Sequence, residues 1–483
     1  MDEPHPQSAN AALLDEMRSL RKAVNSEARP LIERFGAMPS LTNLAHYMVL
    51  RHRDLRPLQQ QLAWRGLSSL GRLESRVMPT LDATIAALAA ITGQTATPAP
   101  TEAEFFSGDH RLATAARALF GPPPVNRATR IMATLPTEAA DDPRLVRAYA
   151  HAGMDIARIN CAHDNPEAWR RMAANVRAAG EAVGTDLRIF MDIAGPKIRV
   201  EAVSDTKIRL FRGDRFRLVA DSKPKRSSEH IHAATISLPA ILERLEVGER
   251  VLYNDGKLAG VVEAVEPGDV TVRIERVKDE GIRLRSSKGL NFPDSILGLS
   301  PLTAKDRHDI DTLVECADIV GYSFVSRADD IDILEQLLES RGGRPGLGLV
   351  AKIERPEAIT NLPELIARAA RHRPFGVMIA RGDLAAEIGF ERLAEMQEEI
   401  LWLCEAASVP VIWATQVLEG LVSEGTPSRG EMTDAAMSVR AECVMLNKGP
   451  QASDAIEVLD RLLARMDDHI SKKSPMLRAL HSW

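Results

Sequence analysis

From residue 130 onward the sequence keeps a rhythm that few folds can accommodate. Short apolar runs recur: RIMATL (130–135), DIARIN (155–160), LRIFMDI (187–193), DIVGYSFV (318–325), GLVAKIE (348–354), FGVMIARGD (375–383), PVIWATQ (410–416) and CVMLN (443–447). Between most of them lie helix-length amphipathic stretches such as PEAWRRMAANVRAAG and FERLAEMQEEILWLCEAA. Strand-helix repetition implies parallel strands, because a parallel pair needs a long crossover. Eight repeats predict an α/β fold, a closed (β/α)8 TIM barrel, with a doubly wound open sheet as the alternative.

The rhythm breaks between 200 and 287, where IRLFRGDRFRLVA, GERVLYNDG and GVVEAVEPGDVTVRIERV alternate with period two and turn at Gly and Asp. That pattern predicts a small antiparallel β domain inserted after the third strand, placed where it could close as a lid over the barrel mouth. Residues 1 to about 93 carry helical periodicity, and the Pro-rich stretches TGQTATPAPTEAE and GPPPVN suggest a linker around a short helix. The expected organisation is therefore a helical extension and linker (1–120), the barrel (121–200 and 288–470), the inserted β-barrel lid (201–287) and a tail (471–483). An apolar face on the extension could pack on the barrel flank or form a subunit interface. The interface is favoured here, because so small a helical segment buries little alone.

A net charge of -6, with 61 Lys and Arg against 67 Asp and Glu, offers no basic stripe for nucleic acid or anionic membrane. No apolar run reaches the roughly 20 residues of a membrane span, and no signal peptide is visible. Cys161, Cys316, Cys404 and Cys443 are scattered, as reduced thiols of a cytoplasmic protein would be.

Barrel enzymes carry their reacting groups at the C-terminal strand ends. Those ends supply Arg158, Asn160 and His163 after the second strand, and Asp192, Lys197 and Arg199 after the third. Ser323 follows the fourth, Lys352 and Glu354 the fifth, Arg381 and Asp383 the sixth. Thr415 and Gln416 end the seventh, Asn447 and Lys448 the eighth. Any one alone reads as a solvated strand end, but seven ends converging with mixed charge read as a site. Glu354 and Asp383 could give Mg²⁺ two hard oxygen ligands. Lys352 and Arg158 could face the spreading charge of a phosphoryl group in transfer.

In order and together, AGMDIARINCAH, DIAGPKIR, SSKGLNFP, AKIERPEAI, MIARGDLAAEI, WATQVLEGL and TPSRGEMTDAA resemble the pyruvate kinase family from about 129 to 470. The resemblance implies phosphate transfer from phosphoenolpyruvate to ADP, giving pyruvate and ATP, by a homo-oligomeric enzyme. It implies Lys352, Thr415 and Arg158 as catalytic residues, with Arg158, Gly382, Asp383 and Thr415 on phosphoenolpyruvate. It further implies Glu354 and Asp383 as ligands of Mg²⁺ or Mn²⁺, and Asn160, His163, Arg199, Asp255 and Lys288 facing the nucleotide. Many family members bind K⁺ where this chain has Asn160 and Asp192. Here Ala162 and Ile193 replace two oxygen ligands and Lys197 replaces a glutamate, so Lys197 is expected to substitute for K⁺ and make the ion unnecessary.

The sequence also departs from the family. The first-strand loop reads TLPTEAAD, the eighth strand ends MLNKGP, and nothing after about 470 matches the family's C-terminal domain. Regulation at the usual sugar-phosphate site is accordingly not expected. Two other readings stay open at this level: a related barrel with altered substrate or weak activity, and a non-catalytic scaffold working through its N-terminal helices.

Overall fold

The computed structural model describes residues 6–95, 98–221, 223–225, 232–254, 256–295, 298–472 and 474–475. Eight parallel strands close into a barrel: β1 (Arg130–Thr134), β2 (Ile156–Asn160), β3 (Arg188–Asp192), β4 (Ile319–Tyr322), β5 (Gly348–Ile353), β6 (Phe375–Ala380), β7 (Val411–Ala414) and β8 (Cys443–Leu446). Each pairs with the next, and β1 closes on β8 through Arg130 opposite Cys443. The strands read as unbroken apolar runs because both faces are covered; every residue of β1, β5 and β6 is buried.

The helices between strands are set by local signals. In Pro166–Val183 the Asn165 side chain accepts the Ala168 N–H at 3.0 Å, Pro166 starts the first turn, and Gly184 ends the helix in the left-handed region. Its buried residues Trp169, Met172, Ala173, Val176 and Ala179 recur at helical spacing on one face.

Between β3 and β4 the chain leaves to build a seven-stranded sheet. Its order is 290–291, 250–253, 258–266, 269–277, 215–219, 232–236, 200–203. The pairs are antiparallel with one exception: Arg215–Val219 runs parallel to His232–Ile236, so the antiparallel expectation holds only in part. Fully buried Phe216, Leu218, Ile236, Val251 and Val272 give this sheet its own core. The chain enters and leaves it side by side, Arg199 bridging Gly289.

The segment read as a linker does something else. Ser107–Phe120 is a helix whose Ala116, Leu119 and Phe120 join Met132, Phe190, Val350 and Met378 in the core inside the barrel. It forms the barrel floor. A Cβ on Gly348 or Gly376 would come within 2.4 Å and 2.5 Å of the Leu119 methyls, so those two strands need glycine where the leucine enters. The preceding helices lie on the barrel flank and share one continuous core with it. Buried Asn43 joins them, donating to the Glu74 and Ala406 carbonyls at 2.7 and 2.8 Å and accepting the Val77 N–H at 2.9 Å. Arg371 donates to the Phe35 carbonyl at 2.6 Å. The buried apolar residues of the extension therefore pack on the barrel flank, one of the two arrangements the sequence leaves open.

Among the described residues no helix is long and apolar enough to cross a membrane, and all four cysteines are free.

Candidate active site

The barrel's C-terminal rim holds a buried charge cluster. Asp192, 1% exposed, ends β3 and accepts from the Arg158 guanidinium of β2, its Nε at 3.1 Å. On the other side lies the Lys352 ammonium of β5, 3.2 Å from Asp192 Oδ1 and 2.9 Å from Glu354 Oε1. Lys352 also donates to Ser323 Oγ at 2.7 Å, and Arg158 to Thr134 Oγ1 at 3.1 Å. Glu354 accepts the Phe324 N–H at 2.6 Å; Phe324 has φ +58°, a strained conformation for a bulky residue, which aims its amide at the carboxylate.

Two cations and two carboxylates thus neutralise each other out of water. Burial would push the Lys352 ammonium down, but Asp192 and Glu354 outweigh it and hold its pKa above the usual lysine value. Burial likewise opposes Asp192, yet Lys352 and Arg158 keep its carboxyl below its ordinary range. Glu354 goes the other way: burial, reinforced by the negative charge of Asp383, raises it despite Lys352.

Next to this cluster, the turn after β6 brings Arg381, Gly382 and Asp383 against Thr415. The Gly382 N–H donates to Thr415 Oγ1 at 3.0 Å, and a Cβ on Gly382 would lie 2.8 Å from that oxygen. Arg381 fixes the turn. It donates to the Thr415 carbonyl at 2.8 Å, pairs with Asp434 and stacks over Trp413 at 4.7 Å.

Lys197 departs from its expected grouping with Asn160 and Asp192. Its ammonium lies 2.6 Å from Asp383 Oδ1. Asp192 is already neutralised by Arg158 and Lys352, and Asn160 Oδ1 accepts the Ala162 N–H at 3.0 Å within its own turn. Close by, Asn291 of the inserted sheet donates to Glu387 at 2.8 Å.

Of the residues expected to face nucleotide, His163 and Lys288 are exposed, and Arg199 donates to the Ser287 carbonyl at 2.9 Å. Burial, with the charges of Lys448 and Arg199, lowers the His163 pKa, so this imidazole is a neutral group among cations. Asp255 lies outside the described residues. Sequence reasoning gave no role to Thr134, Asp434 or the Phe324 amide. Asp434 had a usable signal in the TPSRGEMTDAA stretch, whereas a backbone amide leaves no residue-type signature.

A divalent ion fits the donors present. Burial, with the Asp383 charge adding to it, raises the Glu354 carboxyl, and a dication held by these two residues would favour its charged form. Among the described residues no group of three or more His, Cys, Asp or Glu side chains is placed to hold a metal unaided. Two carboxylates suit Mg²⁺, whose remaining positions are filled by water and substrate oxygens.

A family model described as pyruvate kinase, barrel domain, matches residues 126–454. Similar proteins named pyruvate kinase include one from Agrobacterium vitis, 31% identical over 361 residues, covering 71% of this chain and 70% of its own. One from Mycobacterium tuberculosis is 29% identical over 360 residues and covers 73% of each. The crystal structure of a pyruvate kinase from Cryptosporidium parvum matches with a TM-score of 0.63 at 27% identity, over 73% of both chains. The closed barrel, the charge cluster on its rim and these matches agree, and the chain belongs to the pyruvate kinase family of phosphotransferases.

Proposed function

We propose that this enzyme transfers the phosphoryl group of phosphoenolpyruvate to ADP with Mg²⁺, giving pyruvate and ATP, and that it works without K⁺. The observation that carries the reading is the Lys352 ammonium, held between Asp192, Glu354 and Ser323 beside the Arg158 guanidinium. Its raised pKa keeps it charged at neutral pH. A permanent cation at that point can stabilise the charge that spreads over the phosphoryl oxygens in a loose transition state. Arg158, oriented by Asp192 and Thr134, would grip the same phosphate from the β2 side. Glu354 and Asp383 would hold Mg²⁺, which would supply Lewis-acid stabilisation of the charge developing on the substrate. Thr415, its Oγ1 fixed by the Gly382 amide, would sit at the carbon that takes a proton as pyruvate forms.

The inserted sheet would act as a lid that excludes water from a transfer easily lost to hydrolysis. Asn160, His163, Arg199 and Lys288 would meet the nucleotide phosphates, with Asp255 on the lid side. Lys197, whose ammonium carries the charge of a K⁺ ion, would supply the monovalent positive charge of the site from its place beside Asp383. A homo-oligomer in the cytoplasm is part of the same reading.

The test is pyruvate formation from phosphoenolpyruvate with several nucleoside diphosphates, in buffers with and without K⁺. Turnover with ADP at equal rates in both buffers is expected. No turnover with any diphosphate rules the transfer out, and strong K⁺ activation rules out the role of Lys197.

A further inference from the structure

At the opposite end of the barrel from Lys352, a cleft of about 830 Å³ opens between the floor helix Ser107–Phe120, the start of β1, the turn before β8 and the segment Asp467–Lys472. Its volume lies within the range of small-molecule sites. Leu112, Ala116, Val439 and Ile470 make one side of it apolar.

One of its buried charges lacks a directly bonded counter-charge. Arg130 lines the cleft, is 5% exposed, and has no carboxylate bonded to it among the described residues. Its guanidinium donates only to the carbonyls of Ala128 at 3.0 Å and Gly121 at 2.6 Å, and its buried Nε has no partner. Arg117, on the floor helix, lines the same cleft; burial lowers the Arg130 pKa, the Asp155 and Glu442 charges oppose that, and Arg117 adds a weaker repulsion. The carboxylates on the lining are committed elsewhere. Asp109 pairs with Arg76, Glu442 with Lys472, and Asp467 accepts the Ala128 N–H at 2.5 Å. Two arginines on one cleft beside an apolar wall, one of them buried with no carboxylate bonded to it among the described residues, suit an anion.

We propose that this cleft binds a small organic anion, a carboxylate or phosphate ester with an apolar body, between Arg117 and Arg130. The ligand would join the floor helix, β1 and the C-terminal segment. β1 runs from Arg130 to Thr134, which accepts from Arg158, so one strand spans the distance from this cleft to the rim cluster. The inference is independent of the reaction assigned to the rim.

The probe is 8-anilinonaphthalene-1-sulfonate, an anion with an apolar body. Its fluorescence is titrated on the full chain without phosphoenolpyruvate or ADP, and the two arginine variants tell this cleft from the rim. One saturable site is expected, weakened about tenfold by Arg117→Gln, the loss of one charge-assisted contact. The Arg117 side chain is exposed and bonds to none of the described residues, so that variant keeps its fold; Arg130→Met, checked by circular dichroism, should weaken the probe at least as much. Displacement by phenyl phosphate marks a phosphate ester as the ligand class, and displacement by phenylacetate a carboxylate. Unsaturable binding, full affinity in Arg117→Gln, or displacement by neither compound overturns the proposal.

Discussion

Replacing Lys352 with methionine keeps most of the side-chain volume and removes one charge from a cluster that is neutral as built. Arg158 and Lys352 stand against Asp192 and Glu354, so Lys352→Met leaves the pocket with a net negative charge facing an anionic phosphoryl group. One unit charge about 4 Å away at an effective dielectric of about 20 is worth ~4 kcal/mol. Removing one preorganised donor of this kind typically lowers kcat about 10²–10³-fold. The expected result is a fall of roughly three orders of magnitude in kcat with a much smaller change in KM, since the charge acts on the transferring group. Pyruvate release followed through lactate dehydrogenase measures it. Circular dichroism at the same temperature guards against unfolding, because stranding a buried charge partner costs about 3–5 kcal/mol. A second readout belongs to this mechanism alone. Lys352 lowers the Glu354 pKa against burial and Asp383, so its loss moves the acid limb of the rate profile to higher pH. A variant that keeps kcat within about threefold of the parent, against the much larger loss expected of such a donor, would refute the reasoning.

Gly382→Ala places a Cβ 2.8 Å from Thr415 Oγ1; kcat should drop about 10-fold or more with little change in thermal stability, and equal losses in both would point to misfolding instead. Glu354 has a raised pKa, so protons compete with Mg²⁺ up to a pH above the ordinary glutamate value, and Mg²⁺ activation should strengthen as pH rises through it. A Mg²⁺ requirement that is flat across the acid range would count against Glu354 as a ligand. Asn43→Ala removes three buried hydrogen bonds, two within the helical extension and one to the barrel helix Phe390–Ala406. It should cost about 3 kcal/mol in urea denaturation while leaving kcat unchanged at 25 °C.

The barrel strands and most rim residues were legible because their signals are local: eight apolar runs, each ending in a charged or polar residue. What those residues touch was not. Lys197 and Asp383 are 186 positions apart, and nothing in either stretch says that Asp192 is already held by two other cations. The Pro-rich stretches point to a linker around a short helix, but nothing in them shows that Leu119 and Phe120 of Ser107–Phe120 enter the barrel core. Helical periodicity likewise shows that the extension buries a face without showing against what. The parallel pair inside the inserted sheet escaped notice for a related reason, since alternation reports a half-buried strand and not the direction of its neighbour.

The floor helix has a consequence for how the chain is made. It leaves the ribosome before any strand, with Leu119 and Phe120 uncovered, and the barrel can close only when β8 reaches β1, more than three hundred residues later. Until then the helix can act as a template on which early strands collect, since Met132 of β1 and Phe190 of β3 pack in the same core. Domains generally fold from the N-terminus during synthesis, and here a helix finished before any strand is the base on which the last strand must land.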